Sequence, residues 1–230
     1  MHESFNLDPP PGFHGLDPDK PIHYYFRHLP HWRQDGASYF ITFRTADSLP
    51  KTRLDELKCL RDQFKIRFGD SPPKEQAKIF ARQILARIEK WLDFGTGQCH
   101  LKQSPYQEEV AGAMHFFDGK RYELDCFVVM PNHVHAIAKP MHPKIQPLEK
   151  ILQSWKRHSS NKINKHLRID GSFWQQESYD RIIRDEEHLY QAIQYIGNNP
   201  RLANLPERQS VRWIKPEWDL IGWGFREPTS

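Results

Sequence analysis

Two histidines separated by one apolar residue, His133-Val134-His135, follow a run of strand-forming residues, Phe127-Val128-Val129-Met130. In an extended chain, residues i and i+2 project to the same face, so both imidazoles reach one spot. Further on, Tyr195 and Asn199 stand four apart in a segment of helical periodicity, which puts a phenol and a carboxamide on one helix surface. Two imidazoles, an amide oxygen and a phenol are the parts needed to hold a divalent cation beside a nucleophile, and the combination points to metal-assisted cleavage of a phosphodiester. Imidazole suits several transition metals, whereas an amide oxygen with water and phosphate shifts the preference to Mg2+ or Mn2+. Asn199 is the expected third ligand, with His188 as the substitute. Taken singly, these residues have plainer roles: histidines hydrogen-bonded within a strand, a boundary tyrosine whose hydroxyl meets water, an Asn closing a helix before Pro200.

The elements that carry them follow from spacing. Ser38 to Ala46 mixes aromatic and β-branched residues in partial alternation and predicts a strand. After Pro50, Leu54, Leu57, Leu60, Phe64 and Phe68 recur at helical spacing up to Gly69, and Phe80, Ile84, Ile88 and Trp91 mark a second helix before Gly95-Thr96-Gly97. Ser104 is the predicted N-cap of a third helix, with Pro105 at its first position. Tyr122 to Met130 and His133 to Lys139 predict two strands about a turn at Pro131-Asn132. Leu148, Ile151, Leu152, Trp155, Ile163 and Leu167 define a long amphipathic helix with Lys150, Lys156, Arg157, Lys162 and Lys165 on its other side. Glu177 to Arg184 predicts another strand, and Asp185 caps a helix running to Asn199. On that last helix Leu189, Ile193 and Ile196 form the apolar stripe, and Tyr195 lies well off its centre.

Lys and Arg number 33 against 29 Asp and Glu, a net charge of +4 that suits an anionic partner without demanding one. Three cysteines form no CxxC pair, which gives no disulfide framework or thiolate zinc site and suggests a reducing compartment. No apolar run approaches the roughly 18 residues of a membrane span, so a cytoplasmic, membrane-free protein is expected. The opening stretch is punctuated by Pro9, Pro10, Pro11, Pro18, Pro21 and Pro30 and reads as an extended arm, its His14, His23, His28 and His31 as surface packing. In the tail, Trp213, Trp218 and Trp223 either stack on unpaired bases or pin the segment to the core.

The strand Phe127-Val128-Val129-Met130-Pro131-Asn132-His133-Val134-His135 resembles the histidine-hydrophobic-histidine (HUH) signature of single-tyrosine transposases. Phe173-Trp174-Gln175, Tyr179-Asp180-Arg181-Ile182-Ile183-Arg184-Asp185 and Tyr195-Ile196-Gly197-Asn198-Asn199-Pro200 extend the likeness to the REP-associated tyrosine transposases (RAYT), over roughly Ser38 to Leu205. The resemblance implies an α/β fold of the α+β kind, a ferredoxin-like antiparallel sheet with helices packed on it. A proline-rich arm (1–37), a helical insertion at about 72–119 and a tail (206–230) would then surround a catalytic domain at 38–205. It implies Tyr195 as nucleophile, His133, His135 and Asn199 as metal ligands, and a 5′-phosphotyrosine intermediate on single-stranded DNA or a REP-like hairpin. DNA phosphates are expected at Lys156, Arg157, Lys162 and Lys165, with Arg181 and Arg184 nearer the site; a solvated helix face is the other reading of those lysines. Monomer and homodimer both stay open. Two rivals remain: a non-catalytic hairpin-binding protein, and a metal-dependent hydrolase in which water attacks.

Overall fold

The computed structural model describes residues 7–26, 30–92 and 94–226; His28 lies outside them. A five-stranded antiparallel sheet carries the fold, in the order β6-β3-β5-β4-β7. Its strands are β3 (Tyr39–Arg44), β4 (Tyr122–Val129), β5 (His133–Pro140), β6 (Tyr179–Ile182) and β7 (Val211–Ile214). Taken in chain order, the first four form the 4-1-3-2 arrangement of a ferredoxin-like sheet, and β7 is an addition beside β4. The tail thus contributes a strand, which its own composition did not announce.

Alternation along β3 and β5 divides the sheet into two faces. Ile41, Phe43, Val134, Ala136 and Ala138 belong to one core, under α3 (Ser104–His115) and α4 (Leu148–Leu167), whose Leu148, Ile151, Trp155 and Ile163 lie in the same cluster. Phe40 and Ile137 belong to the other, with Cys126 and Val128, covered by α5 (Glu186–Leu202) through Leu189, Ala192, Ile193 and Ile196. By the same alternation His133 and His135 project toward α5. Asp185 caps this helix as expected, accepting from the His188 backbone N–H at 2.8 Å. The helix passes through Pro200 to Leu202; only its last turn lies beyond the proline, so little of the hydrogen-bond ladder is lost.

Three expectations change. The N-cap of α3 is Gln103 rather than Ser104, whose hydroxyl instead bonds Glu108 within the first turn. The arm is not merely extended: β1 (His23–Phe26) and β2 (Pro30–Arg33) pair as an antiparallel hairpin. The added helical material is the hairpin of α1 (Lys51–Phe68) and α2 (Lys74–Leu92), rather than 72–119, because α3 packs beside α4 as the fold's own crossover helix. That hairpin has a separate core of Leu57, Phe80, Ile84, Ile88 and Trp91, joined to the sheet through Leu49 and Tyr179. The two chain ends interlock, since Trp218 and Trp223 are buried and donate through Nε1 to the carbonyls of Pro11 and Asp8, each at 3.0 Å. Trp213 stacks on Phe127 across the sheet's other face. All three tryptophans therefore pin the tail.

Candidate active site

Two spacings match where β5 meets α5. His133 and His135 are separated by about 6.7 Å along an extended strand, and Tyr195 and Asn199 by about 6 Å along a helix. Tyr195 accordingly lies against His135, with ring centroids 5.2 Å apart, while the Asn199 carboxamide faces His133. The two imidazoles stand edge to face at 4.7 Å. Arg212 of β7 steadies the helix between them, donating to the Gly197 carbonyl at 2.7 Å. Gly197 is needed here: a Cβ would come within 2.5 Å of the Phe225 ring.

Each histidine is aimed by a neighbour. The Asn132 Nδ2 donates to the Thr96 carbonyl at 2.9 Å, which turns its Oδ1 to His133 Nδ1 at 2.8 Å and makes that nitrogen the donor. Thr96 belongs to the loop after α2, so the inserted hairpin reaches the site through this chain of contacts. Thr42, opposite His135 in the β3–β5 register, places its hydroxyl 2.8 Å from His135 Nδ1. With Nδ1 donating, His133 Nε2 keeps its lone pair; the Thr42 hydroxyl, when it accepts from His135 Nδ1, leaves the second Nε2 in the same state, the arrangement of metal-binding histidines with an outer hydrogen-bond partner.

Both Nε2 atoms and both polar atoms of Asn199 are buried and make no hydrogen bond of good geometry. Burial lowers the His133 pKa to about 3, against an opposing contribution from Asn199. Burial also holds His135 well below its usual value, helped by the nearby His133 and Arg181. Both imidazoles are thus neutral at pH 7, the form that binds a metal. Three buried donors without partners fit a divalent cation, and the neutral set favours one that keeps water or phosphate oxygens as its other ligands. Among the described residues, no group of three His, Cys, Asp or Glu side chains gathers anywhere, so the candidate set depends on the Asn199 oxygen as its third member.

The other predicted residues divide by face. Arg181, opposite Phe40 in the β3–β6 register, sits over the Phe40 ring at 4.6 Å and within electrostatic range of Tyr195. Phe40 in turn packs against both His135 and Tyr195. Arg184 is exposed at the end of β6, and its backbone N–H donates to His188 Nδ1 at 3.1 Å. His188 is occupied there, and at about 1.5 Å per residue it lies roughly 16 Å along α5 from Asn199, too far to replace it.

The basic helix α4, where DNA phosphates were expected, is on the opposite side of the sheet from Tyr195, whereas Arg181 lies on the side of the site. Lys156 is committed internally, donating to the Gln175 and Gln176 carbonyls at 2.9 and 3.1 Å, and burial lowers its pKa to about 8. Lys162 pairs with Glu109 of α3 at 2.8 Å. Arg157 and Lys165 are exposed but face away from Tyr195. Thr42, Asn132 and Phe40 were missed by sequence reasoning: Asn132 was read as turn chemistry and the other two as ordinary strand residues. The i, i+2 alternation shared by Phe40 and Thr42 is the signal that could have exposed them.

Residues 102–199 match the family model described as "Transposase IS200 like", a segment that includes His133, His135, Tyr195 and Asn199. A protein of Haemophilus influenzae (strain ATCC 51907 / DSM 11121 / KW20 / Rd), described only as uncharacterized, is 30% identical over 99 residues, covering 34% of this chain and 54% of the relative. The chain thus spans about half the length of that relative. A solved structure described as "Structure of the REP associates tyrosine transposase bound to a REP hairpin" has 12% identity and a TM-score of 0.39, over 77% of this chain and 72% of that one. No helix among the described residues is long and apolar enough to cross a membrane.

Proposed function

We propose that the protein cleaves single-stranded or hairpin DNA by attack of Tyr195 on a phosphodiester, beside a divalent cation held by His133, His135 and Asn199. The observation that carries this reading is that both histidine Nε2 atoms and the Asn199 carboxamide are buried without hydrogen-bond partners, next to a phenol on the facing helix. A bound Mg2+ or Mn2+ would act as a Lewis acid on a phosphate oxygen.

The protein's own groups account for the rest. Arg181 stands within electrostatic range of Tyr195, so negative charge developing on the attacking oxygen faces a positive one. Phe40 walls the Tyr195 ring on one side, so the hydroxyl is presented in a restricted set of directions. Attack forms a bond from the Tyr195 oxygen to phosphorus and breaks the bond to the 3′ oxygen, which leaves and takes up a proton. The product is a 5′-phosphotyrosine with a free 3′-hydroxyl, and the same step in reverse, with a different 3′-hydroxyl, joins strands. The ester's energy is kept in the covalent bond, so no nucleotide triphosphate is consumed.

The test is to incubate the full chain with 5′- and 3′-labelled hairpins and manganese, then map any covalent adduct by peptide mass spectrometry. The adduct is expected at Tyr195 and should be absent in Tyr195→Phe. Cleavage without an adduct would instead make water the nucleophile, and binding without cleavage would leave a hairpin-binding protein. An adduct at Tyr190 or Tyr179 would mean that the wrong phenol has been named.

A further inference from the structure

Arg44 closes β3 directly opposite His133, on the same face, and is 2% exposed. Its Nη1 donates to the Ser48 hydroxyl at 3.0 Å, while its Nε has no hydrogen-bond partner. The guanidinium also lies against the hydroxyl of Tyr179, a buried residue of the adjacent strand β6. The inserted helix α1 brings a second arginine to the same place. Leu57 packs in one cluster with Tyr179, Arg61 follows one turn later on the same helix side, and the Arg61 Nε is likewise buried without a partner. Arg33, Arg53 and Arg87, by contrast, pair with carboxylates. Glu177, whose charge reaches Tyr179, is bound to His31 at 3.3 Å.

A guanidinium stays charged at any physiological pH, and a buried charge is held in place by a counter-charge or is costly. Ser48 and Tyr179 offer oxygens but no charge. Among the described residues the two arginines therefore lack one component, an anion with several oxygen acceptors, and the planar fork of arginine matches phosphate in both respects. Cross-strand pairing places the Arg44 Cβ about 4.5–5.5 Å from that of His133, so the spot adjoins the candidate metal centre.

We propose that Arg44 and Arg61, with the hydroxyl of Tyr179, form an oxyanion site that takes a phosphate group, either a backbone phosphate of a nucleic-acid strand or free phosphate; Ser48, which accepts from Arg44 and donates to the Thr45 carbonyl at 2.8 Å, holds the guanidinium in place. Arg61 is half-buried, so the anion enters from the α1 side. The site is independent of whether Tyr195 cleaves DNA, because an oxyanion can be measured there without any reaction.

The full chain would be titrated by calorimetry with inorganic phosphate, and separately with a short single-stranded oligonucleotide in the presence and absence of competing phosphate. Arg61→Gln and Arg44→Gln should each weaken binding about tenfold or more, the loss expected for a charge-assisted hydrogen bond. Arg61→Gln is the safer variant, since its side chain is partly exposed and its loss threatens folding less than that of Arg44. Oligonucleotide binding that phosphate displaces assigns the site to the nucleic-acid backbone; phosphate binding that leaves the oligonucleotide in place assigns it to the free ion. The proposal is overturned if neither probe binds, or if both bind Arg61→Gln as tightly as the native chain.

Discussion

His31 and His133 are both buried, 5% and 1% exposed, yet they hold opposite charge states. His31, on β2, is bonded on both ring nitrogens, to Asp180 at 2.9 Å and Glu177 at 3.3 Å. Arg33 joins Asp180 to Glu149 of α4, so the arm hairpin, the sheet edge and α4 share one network of charges. Burial alone would discharge His31, but the two carboxylates outweigh it and raise its pKa to about 9. His133 has a neutral amide on one nitrogen and on the other only the facing Asn199 carboxamide, with no hydrogen bond of good geometry, and burial lowers its pKa to about 3. A cluster whose every charge is answered from within the chain holds the molecule together. A cluster that leaves its donors unanswered is built for something from outside.

Asp180 offers the largest effect by which this contrast can be broken. Asp180→Ala strands a buried His31 and Arg33, and removal of one member of a buried ion pair costs about 3–5 kcal/mol. Tyr195→Phe removes one oxygen and keeps the ring, and should change stability by no more than about 1 kcal/mol while abolishing the adduct. Urea midpoints for the two variants would settle the matter, and similar losses in both would erase the distinction.

Acidity separates the two clusters next. In the unfolded chain both histidines titrate near 6.5. His31 binds its proton more tightly when folded, so its contribution is complete below about 6.5 and is lost as the pH rises through about 9. His133 and His135 resist protonation when folded; the unfolded chain takes up more protons, so stability falls as the pH drops from about 6.5 toward 3. Stability measured against pH should therefore decline on both sides of neutrality. His31→Gln should flatten the alkaline limb alone, and a change in the acid limb instead would reverse the assignment.

How much of this was legible from sequence depends on the range of the interactions involved. The strand carrying His133 and His135, and the helix placing Tyr195 beside Asn199, follow from periodicities within a dozen residues, and both elements stand where spacing put them. The face occupied by α4 is a matter of topology. Both crossover helices lie on one side of a ferredoxin-like sheet, while the histidines project to the other, and the basic stripe of α4 carries no information about that choice. Lys156 shows the same limit, because the carbonyls that capture it belong to a loop some twenty residues away. The β1–β2 hairpin and β7 also escaped, since pairing between short segments is fixed by partners rather than by their own patterns.

The division by face yields a smaller effect. Arg181→Ala with Arg184→Ala should reduce the dependence of single-strand affinity on salt, by about 0.7 in the logarithmic slope for each phosphate no longer neutralised. Arg157→Ala with Lys165→Ala, across the sheet, should leave that slope unchanged, and the reverse outcome would move the DNA path to α4. Smaller again, Asn199→Ala should raise the manganese concentration needed for half-maximal cleavage without disturbing the fold; an unaltered requirement would remove Asn199 from the ligand set.

Direct titration of the full chain with manganese, followed by electron paramagnetic resonance in the absence of DNA, tests the central contrast between answered and unanswered histidines. One ion is expected to bind per chain, with binding lost in His133→Ala and in His135→Ala and retained in His31→Gln. Absence of binding to the native chain, or binding that survives both site substitutions, would contradict the account.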